Sequence, residues 1–203
     1  MRSTSSSGID KIPMYVLKEV SSALCNPLSY VFNLSMSNGI VPDNTKAARI
    51  IPVFKSGNNS LPSNYRPISI LPCFSKILEK LVYNRLIAFI NKYNVISSSQ
   101  FGFRKNYTTS MAAIDVVNYI IEGFNNKEYT LCLFLDLSKA FDTVNHCILL
   151  HKLSHYGIRG IAHNWFSSYL SNRQHFVNVN GVASICNFVT CGVPQGSILG
   201  PLL

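Results

Sequence analysis

Acidic side chains are scarce in this chain. Nine Asp and Glu stand against eighteen Lys and Arg, a formal charge of +9. That imbalance disfavours a cationic partner and favours a polyanion, nucleic acid first and an anionic membrane surface second. A generic basic protein carries the same balance, so charge alone does not decide. Long apolar runs are missing too. None approaches the roughly 20 residues of a membrane-spanning helix, and the N-terminus has no signal-peptide core. No membrane partner is expected, and the chain reads as a soluble intracellular one, of nucleus, cytoplasm or both. The six cysteines (25, 73, 132, 147, 186 and 191) form no C-x-x-C pair and no regular framework, which argues against a disulfide scaffold and for reduced thiols. Cys147, His151 and His155 share a helix face but lack a fourth ligand at a usual metal spacing. Most of the chain is also expected to fold rather than stay disordered. With 47% hydrophobic residues against 13% charged, 203 residues can bury one sizeable core or two small ones.

What the chain does have is an apolar run at residues 131–135, LCLFL, that stops on Asp136. Such a run reads as a buried strand carrying an acid to its end. A carboxylate on a rigid element suits a hard cation such as Mg²⁺. A helix cap or a plain loop acid would look the same.

Along the chain, residues 1–8 are serine-rich and expected to be loose. Val16, Leu17, Val20 and Leu24 keep helical spacing over 13–24. Asn26-Pro27 opens a second helix, with Leu28, Val31, Phe32 and Leu34 on one face and Gly39 as its stop. Residues 47–54 read as a strand, and Pro52 places it at an edge or a bulge. A Gly, Asn, Ser and Pro loop follows, and residues 65–71 return. The result is a finger-like hairpin with Lys55 and Arg66 near its base. These two cations either grip a triphosphate or are simply solvated. Residues 72–93 form a long amphipathic helix. In the loop 97–105, Phe101 and Phe103 alternate with Gly102, Arg104 and Lys105. Aromatics among cations suit an unpaired nucleic-acid strand, or else they tie the loop to the core.

A helix over 108–125 is expected, with Ile114, Val117, Ile120 and Ile121 inward. Another spans 145–155, with Ile148, Leu149 and Leu153 inward and Gly157 as its stop, and a third spans 161–170. Residues 173–178 and 182–190 flank Asn180-Gly181, a strong hairpin turn. Last comes a tight Gly-Pro-Gly loop, in which Ser197 caps a helix only beginning when the sequence stops, as in a truncated reading frame.

Four blocks now stand in one order: NYRPISILP, SQFGFRKNYTTSMA, FLDLSKAFDTVNH and GVPQGSILGPLL. Together they closely resemble the reverse transcriptase domain of non-LTR (LINE-type) retrotransposons. SSSGIDKIP and ARIIPVFK look like its early blocks, so the resemblance covers nearly the whole chain. It implies an α+β right-hand polymerase fragment, with a mostly helical fingers region over 1–127 that includes the hairpin near 47–71. A partial palm over 128–203 follows, ending in the GVPQGS loop and the start of a helix. The strand at 131–135 would then lie in the palm sheet beside the hairpin 173–190, leaving one sheet edge open and apolar.

By the same resemblance, Asp136 is the first catalytic aspartate and a ligand to both Mg²⁺ ions, and the Leu137 carbonyl completes one ion's shell. Phe141 lies under the incoming sugar and excludes a 2′-hydroxyl. Lys55 and Arg66 hold the dNTP triphosphate, while Gln195 and Gly196 pack on the nucleotide and the template base. Phe101, Gly102 and Arg104 belong to a template-contacting block, and Asp142 is a structural cap. The implied partners are an RNA template, a DNA primer and dNTPs, and the implied chemistry is two-metal phosphoryl transfer.

Two departures stand out. The family's Tyr-Ala-Asp-Asp block and thumb lie beyond Leu203. Since one carboxylate cannot hold two ions, this stretch alone is expected to be inactive. Ile9-Asp10-Lys11 replaces the usual Pro-Asp-Gly. Two other readings are a decayed remnant that at most binds nucleic acid, and an interaction module.

Overall fold

The computed structural model describes residues 7–203. Most of the serine-rich start lies outside the described residues. The architecture is mixed α/β, with one sheet and six α-helices among the described residues.

Helix α1 (Met14–Glu19) buries Met14 and Leu17 against Cys73. Helix α2 (Ser21–Asn38) begins six residues before Pro27, so this proline is inside the helix and does not open it. An interior proline removes one i→i−4 hydrogen bond. Ala23, whose carbonyl loses that partner, is exposed, so water can replace it. Gly39 ends α2 as expected, in the left-handed region at φ 68°. Phe32 is buried and Leu28 packs on the core, but Val20, Val31 and Leu34 face solvent.

Strand β1 (Ala48–Phe54) pairs antiparallel with β2 (Tyr65–Ile70) in the expected hairpin. Pro52 lies opposite Pro67. Neither has an N–H to give, so a non-hydrogen-bonded position costs the ladder nothing. The parallel ladder from β1 to β3 (Gln174–Val179) covers only Ala48 to Ile50. Pro52 is therefore past the end of that ladder and behaves as an edge residue. Strand β3 turns at Asn180-Gly181, both at positive φ, into β4 (Val182–Ala183), and it also pairs with β5 (Asn187–Phe188).

The main core sits where α3 (Cys73–Lys92) meets α5 (His146–His155) and α6 (Gly160–Leu170). Leu78, Val82, Leu86 and Ile90 recur every four residues on α3 and pack with Leu149, Leu153, Trp165, Phe166 and Leu170. Fully burying each such side chain stabilises by about 1.5–3 kcal/mol. Asn145 caps α5 by accepting from the Ile148 amide at 3.1 Å.

Three expectations fail, each for want of a packing partner. Residues 131–135 form no strand, and their apolar side chains are open, Leu131 at 94% and Leu135 at 83%. The hairpin 173–190 joins β1 instead of this run, and a strand with no ladder to enter keeps no strand geometry. Helix α4 (Thr109–Asn125) forms, with Thr108 Oγ1 accepting from the Met111 amide, but Ile114, Val117 and Ile121 are exposed. On α5, Ile148 is also exposed.

Candidate active-site cleft

The β1–β2 hairpin builds one wall of a cleft. At its mouth the Lys55 amide donates to the Asn64 carbonyl at 2.8 Å. The tip is tied by Asn64 Nδ2 donating to the Asn58 carbonyl and by the Tyr65 hydroxyl donating to the Asn59 carbonyl, each at 2.8 Å. These bonds hold a loop whose regular structure, among the described residues, is limited to the 3-10 turn Pro62–Asn64.

The opposite wall is the turn that follows Asp136. Phe141 is half-buried against the main core and meets Phe103 edge-to-face, with ring centroids 6.1 Å apart. The loop 191–199 closes the end. The Val193 amide donates to the Phe141 carbonyl at 2.7 Å and the Gly192 amide to the Val144 carbonyl at 2.8 Å. Gly192 is at φ +84°, where a Cβ would come within 2.8 Å of the Asp142 carbonyl oxygen. Only glycine fits that approach.

The cleft between these walls has a volume of about 840 Å³ and is lined by Lys55, Arg66, Asp136, Leu137, Phe141 and Gln195, among others. Gly196 sits just behind it at φ +109°, against the Ser69 carbonyl. Asp142 also lines the cleft, and its amide donates back to Lys139, as a turn-closing residue does.

The loop 97–105 does not line the cleft and reaches it only through Phe103. Arg104 stacks on the Tyr107 ring at 4.0 Å and donates to the Ser97 and Gln100 carbonyls at 3.1 and 3.0 Å. Phe101 packs edge-to-face on the same Tyr107. Gly102 is open to solvent. Tying the loop together is thus one role that Phe101 and Arg104 fill.

The donor set bears on Mg²⁺. Mg²⁺ takes oxygen ligands in near-octahedral geometry, often one or two carboxylates plus phosphate and water. Asp136 and the Leu137 carbonyl are oxygen donors of the right kind. Among the described residues, though, no three His, Cys, Asp or Glu side chains gather as a metal cluster, Cys147, His151 and His155 included. A two-ion centre does not fit the described residues.

Sequence reading missed Glu79. It is 1% exposed inside α3, where Oε1 accepts from the Tyr169 hydroxyl at 2.8 Å and Oε2 from the Ile198 amide at 2.7 Å. Arg173, 2% exposed, lies over the Tyr169 ring and donates to the Tyr169 carbonyl. Burial pushes the Glu79 carboxyl above its ordinary range, opposed by the Ile198 amide, the Tyr169 hydroxyl and the Arg173 charge. Burial, with the Glu79 charge, also raises the Tyr169 phenol. A signal was present, because Glu79 falls on the apolar stripe with Val82, Leu86 and Ile90. An acid at such a position is a buried acid with partners.

A hairpin bearing two cations, an acid and a glycine-containing loop thus meet at one cleft. The comparisons give the family. The family described as Reverse transcriptase (RNA-dependent DNA polymerase) matches residues 53–203, and the chain belongs to it. Within that family its relatives come from mobile elements. It is 34% identical, over 98% of its own length, to a probable RNA-directed DNA polymerase from transposon BS of Drosophila melanogaster. It is 38% identical, over 87%, to the RNA-directed DNA polymerase from mobile element jockey of the same fly, and 34% identical, over 97%, to a probable RNA-directed DNA polymerase from its transposon X-element. The likeness to non-LTR retrotransposon reverse transcriptases read from the four sequence blocks therefore stands. The chain spans 22%, 19% and 22% of the lengths of these three relatives. Among the described residues, no helix is long and apolar enough to cross a membrane.

Proposed function

We propose that this chain is the fingers region (1–127) and the first part of the palm (128–203) of an RNA-directed DNA polymerase, and that its cleft receives an incoming deoxynucleoside triphosphate. One observation carries the reading: Lys55, Arg66, Asp136, Leu137, Phe141 and Gln195, from separate stretches of sequence, line a single cleft. Lys55 and Arg66 answer a polyphosphate, one as a mobile point charge and the other as a planar fork. The Phe141 ring, braced by Phe103, fills the space that a 2′-hydroxyl would need. Gln195 and Gly196 face the base and the template. Phe101, Gly102 and Arg104 flank the Phe103 side, where an RNA template paired with a DNA primer would enter. The excess of positive charge supports that duplex partner.

Asp136 and Leu137 are this chain's share of a magnesium shell, and the other donors belong to a longer polypeptide, of the size of the relatives. The reaction belongs there too: the primer 3′-oxygen attacks the α-phosphorus and pyrophosphate leaves.

Calorimetric titration with dTTP tests the reading. The 203-residue chain should bind dTTP but incorporate none on a primed RNA, and Lys55→Ala and Arg66→Ala should each weaken binding about tenfold. Absence of dTTP binding, or unchanged affinity in both variants, refutes it. The exposed apolar run at 131–135 favours a second reading, an interaction module. Self-association without affinity for dTTP or primed RNA would support that one instead.

A further inference from the structure

We infer that Glu79 is a positioning residue, which holds the loop carrying Gln195 and Gly196 in place from behind. The inference rests on the proposed nucleotide-facing role of that loop.

The loop has two sets of moorings. On the cleft side, Gly192 and Val193 donate to Val144 and Phe141, and the Gln195 carbonyl accepts from the Ser69 amide at 2.8 Å. On the far side the Ser197 amide turns back to the Pro194 carbonyl at 3.0 Å, and the Ile198 amide donates out of the loop to Glu79 Oε2 at 2.7 Å. Ser197 Oγ then accepts from the Gly200 amide at 2.9 Å. Besides Glu79, the stretch after Gln195 meets other elements at Gly196, against the Ser69 carbonyl, and at Ser197, whose side chain hydrogen-bonds to Tyr169, before Leu199 enters the core.

The acceptor is itself rigid. Glu79 lies within a 20-residue helix and its second oxygen is held by Tyr169. Tyr169 stacks on Trp165, with centroids 5.5 Å apart, and Trp165 Nε1 donates to Ser35 Oγ. Helices α2, α3 and α6 thus brace one carboxyl, and that carboxyl braces the loop. A purely structural acid would need only the Tyr169 bond and Arg173 nearby. The bond to Ile198 is the part that joins Glu79 to the loop whose Gln195 lines the cleft.

The test combines amide exchange with dTTP titration on the 203-residue chain. Glu79→Met removes the acceptor at similar length. It should speed exchange of the Ile198 amide and its loop neighbours about tenfold and weaken dTTP about as much, while α5 amides keep their rates. Glu79→Gln retains an acceptor and should restore both to within about twofold of wild type. Uniformly faster exchange with dTTP affinity intact would make Glu79 structural only and overturn the inference. If Glu79→Met does not fold, the wild type decides: its Ile198 amide must exchange as slowly as those of α3, and exchange at a surface-loop rate refutes the inference. Loss of dTTP binding by the wild type refutes the proposed function instead. The exchange result stands apart from that outcome.

Discussion

The Ser69 amide donates to the Gln195 carbonyl at 2.8 Å, so the strand returning from the hairpin is bonded directly to the loop that closes the cleft. Arg66 and Gln195 are thereby fixed relative to each other through three residues of β2. A change in hairpin register would move the cation and the loop together.

Phe141 has two jobs with separate readouts. Its ring packs on the core and against Phe103, so Phe141→Ala should lower unfolding stability by about 2 kcal/mol, below a fully buried Phe because the site is half open. Under the proposed function the same change should bring the affinities for dUTP and UTP, which differ only at the 2′-position, together. Titration of both nucleotides checks this, and retained preference for dUTP would remove Phe141 from sugar selection.

Glu79 makes stability depend on pH. Its carboxyl titrates above the ordinary 4.5 because burial disfavours the charged form. In the window from 4.5 up to the folded-state pKa, the folded chain binds more protons than the unfolded one. Its contribution is therefore fully present below 4.5, falls as pH rises through that window, and levels off above it. Urea midpoints of wild type and Glu79→Gln, compared from about pH 4 to pH 8, should diverge against the wild type as pH rises. A constant difference would contradict the assignment.

Lys11 occupies a position made for glycine. It closes a turn onto the Gly8 carbonyl at 3.2 Å with φ +57°, and its side chain is exposed. The left-handed conformation costs a residue with a Cβ about 1–2 kcal/mol, of which glycine's greater unfolded-state freedom offsets part. Lys11→Gly should therefore stabilise by about 0.5–1 kcal/mol, read as a raised urea midpoint.

Thiol reactivity should divide the cysteines sharply. Cys25, Cys132, Cys147, Cys186 and Cys191 are exposed, whereas Cys73 is buried. Burial pushes the Cys73 thiol up, partly offset by Lys76, so its thiolate is scarce as well as shielded. An aromatic disulfide reagent should titrate five thiols in the native chain and the sixth only in denaturant. Fast reaction at Cys73 would mean that the α1–α3 contact opens readily.

Local chemistry settled much of this protein in the sequence itself. The Gly39 stop, the Asn145 cap, the Asn180-Gly181 turn and the apolar stripe of α3 each depend on neighbours within a few residues. The four ordered blocks were enough to place the chain in its family. Tertiary structure alone decided which apolar faces found cover. Residues 131–135 and the α4 face carry correct periodicities, but burial is a property of two surfaces and the second is not in their own pattern. The same holds for Glu79, whose charge is tolerable only because Tyr169, Arg173 and Ile198, distant in sequence, converge on it. Pairing over such distances depends on how the whole chain closes, and no local pattern encodes it.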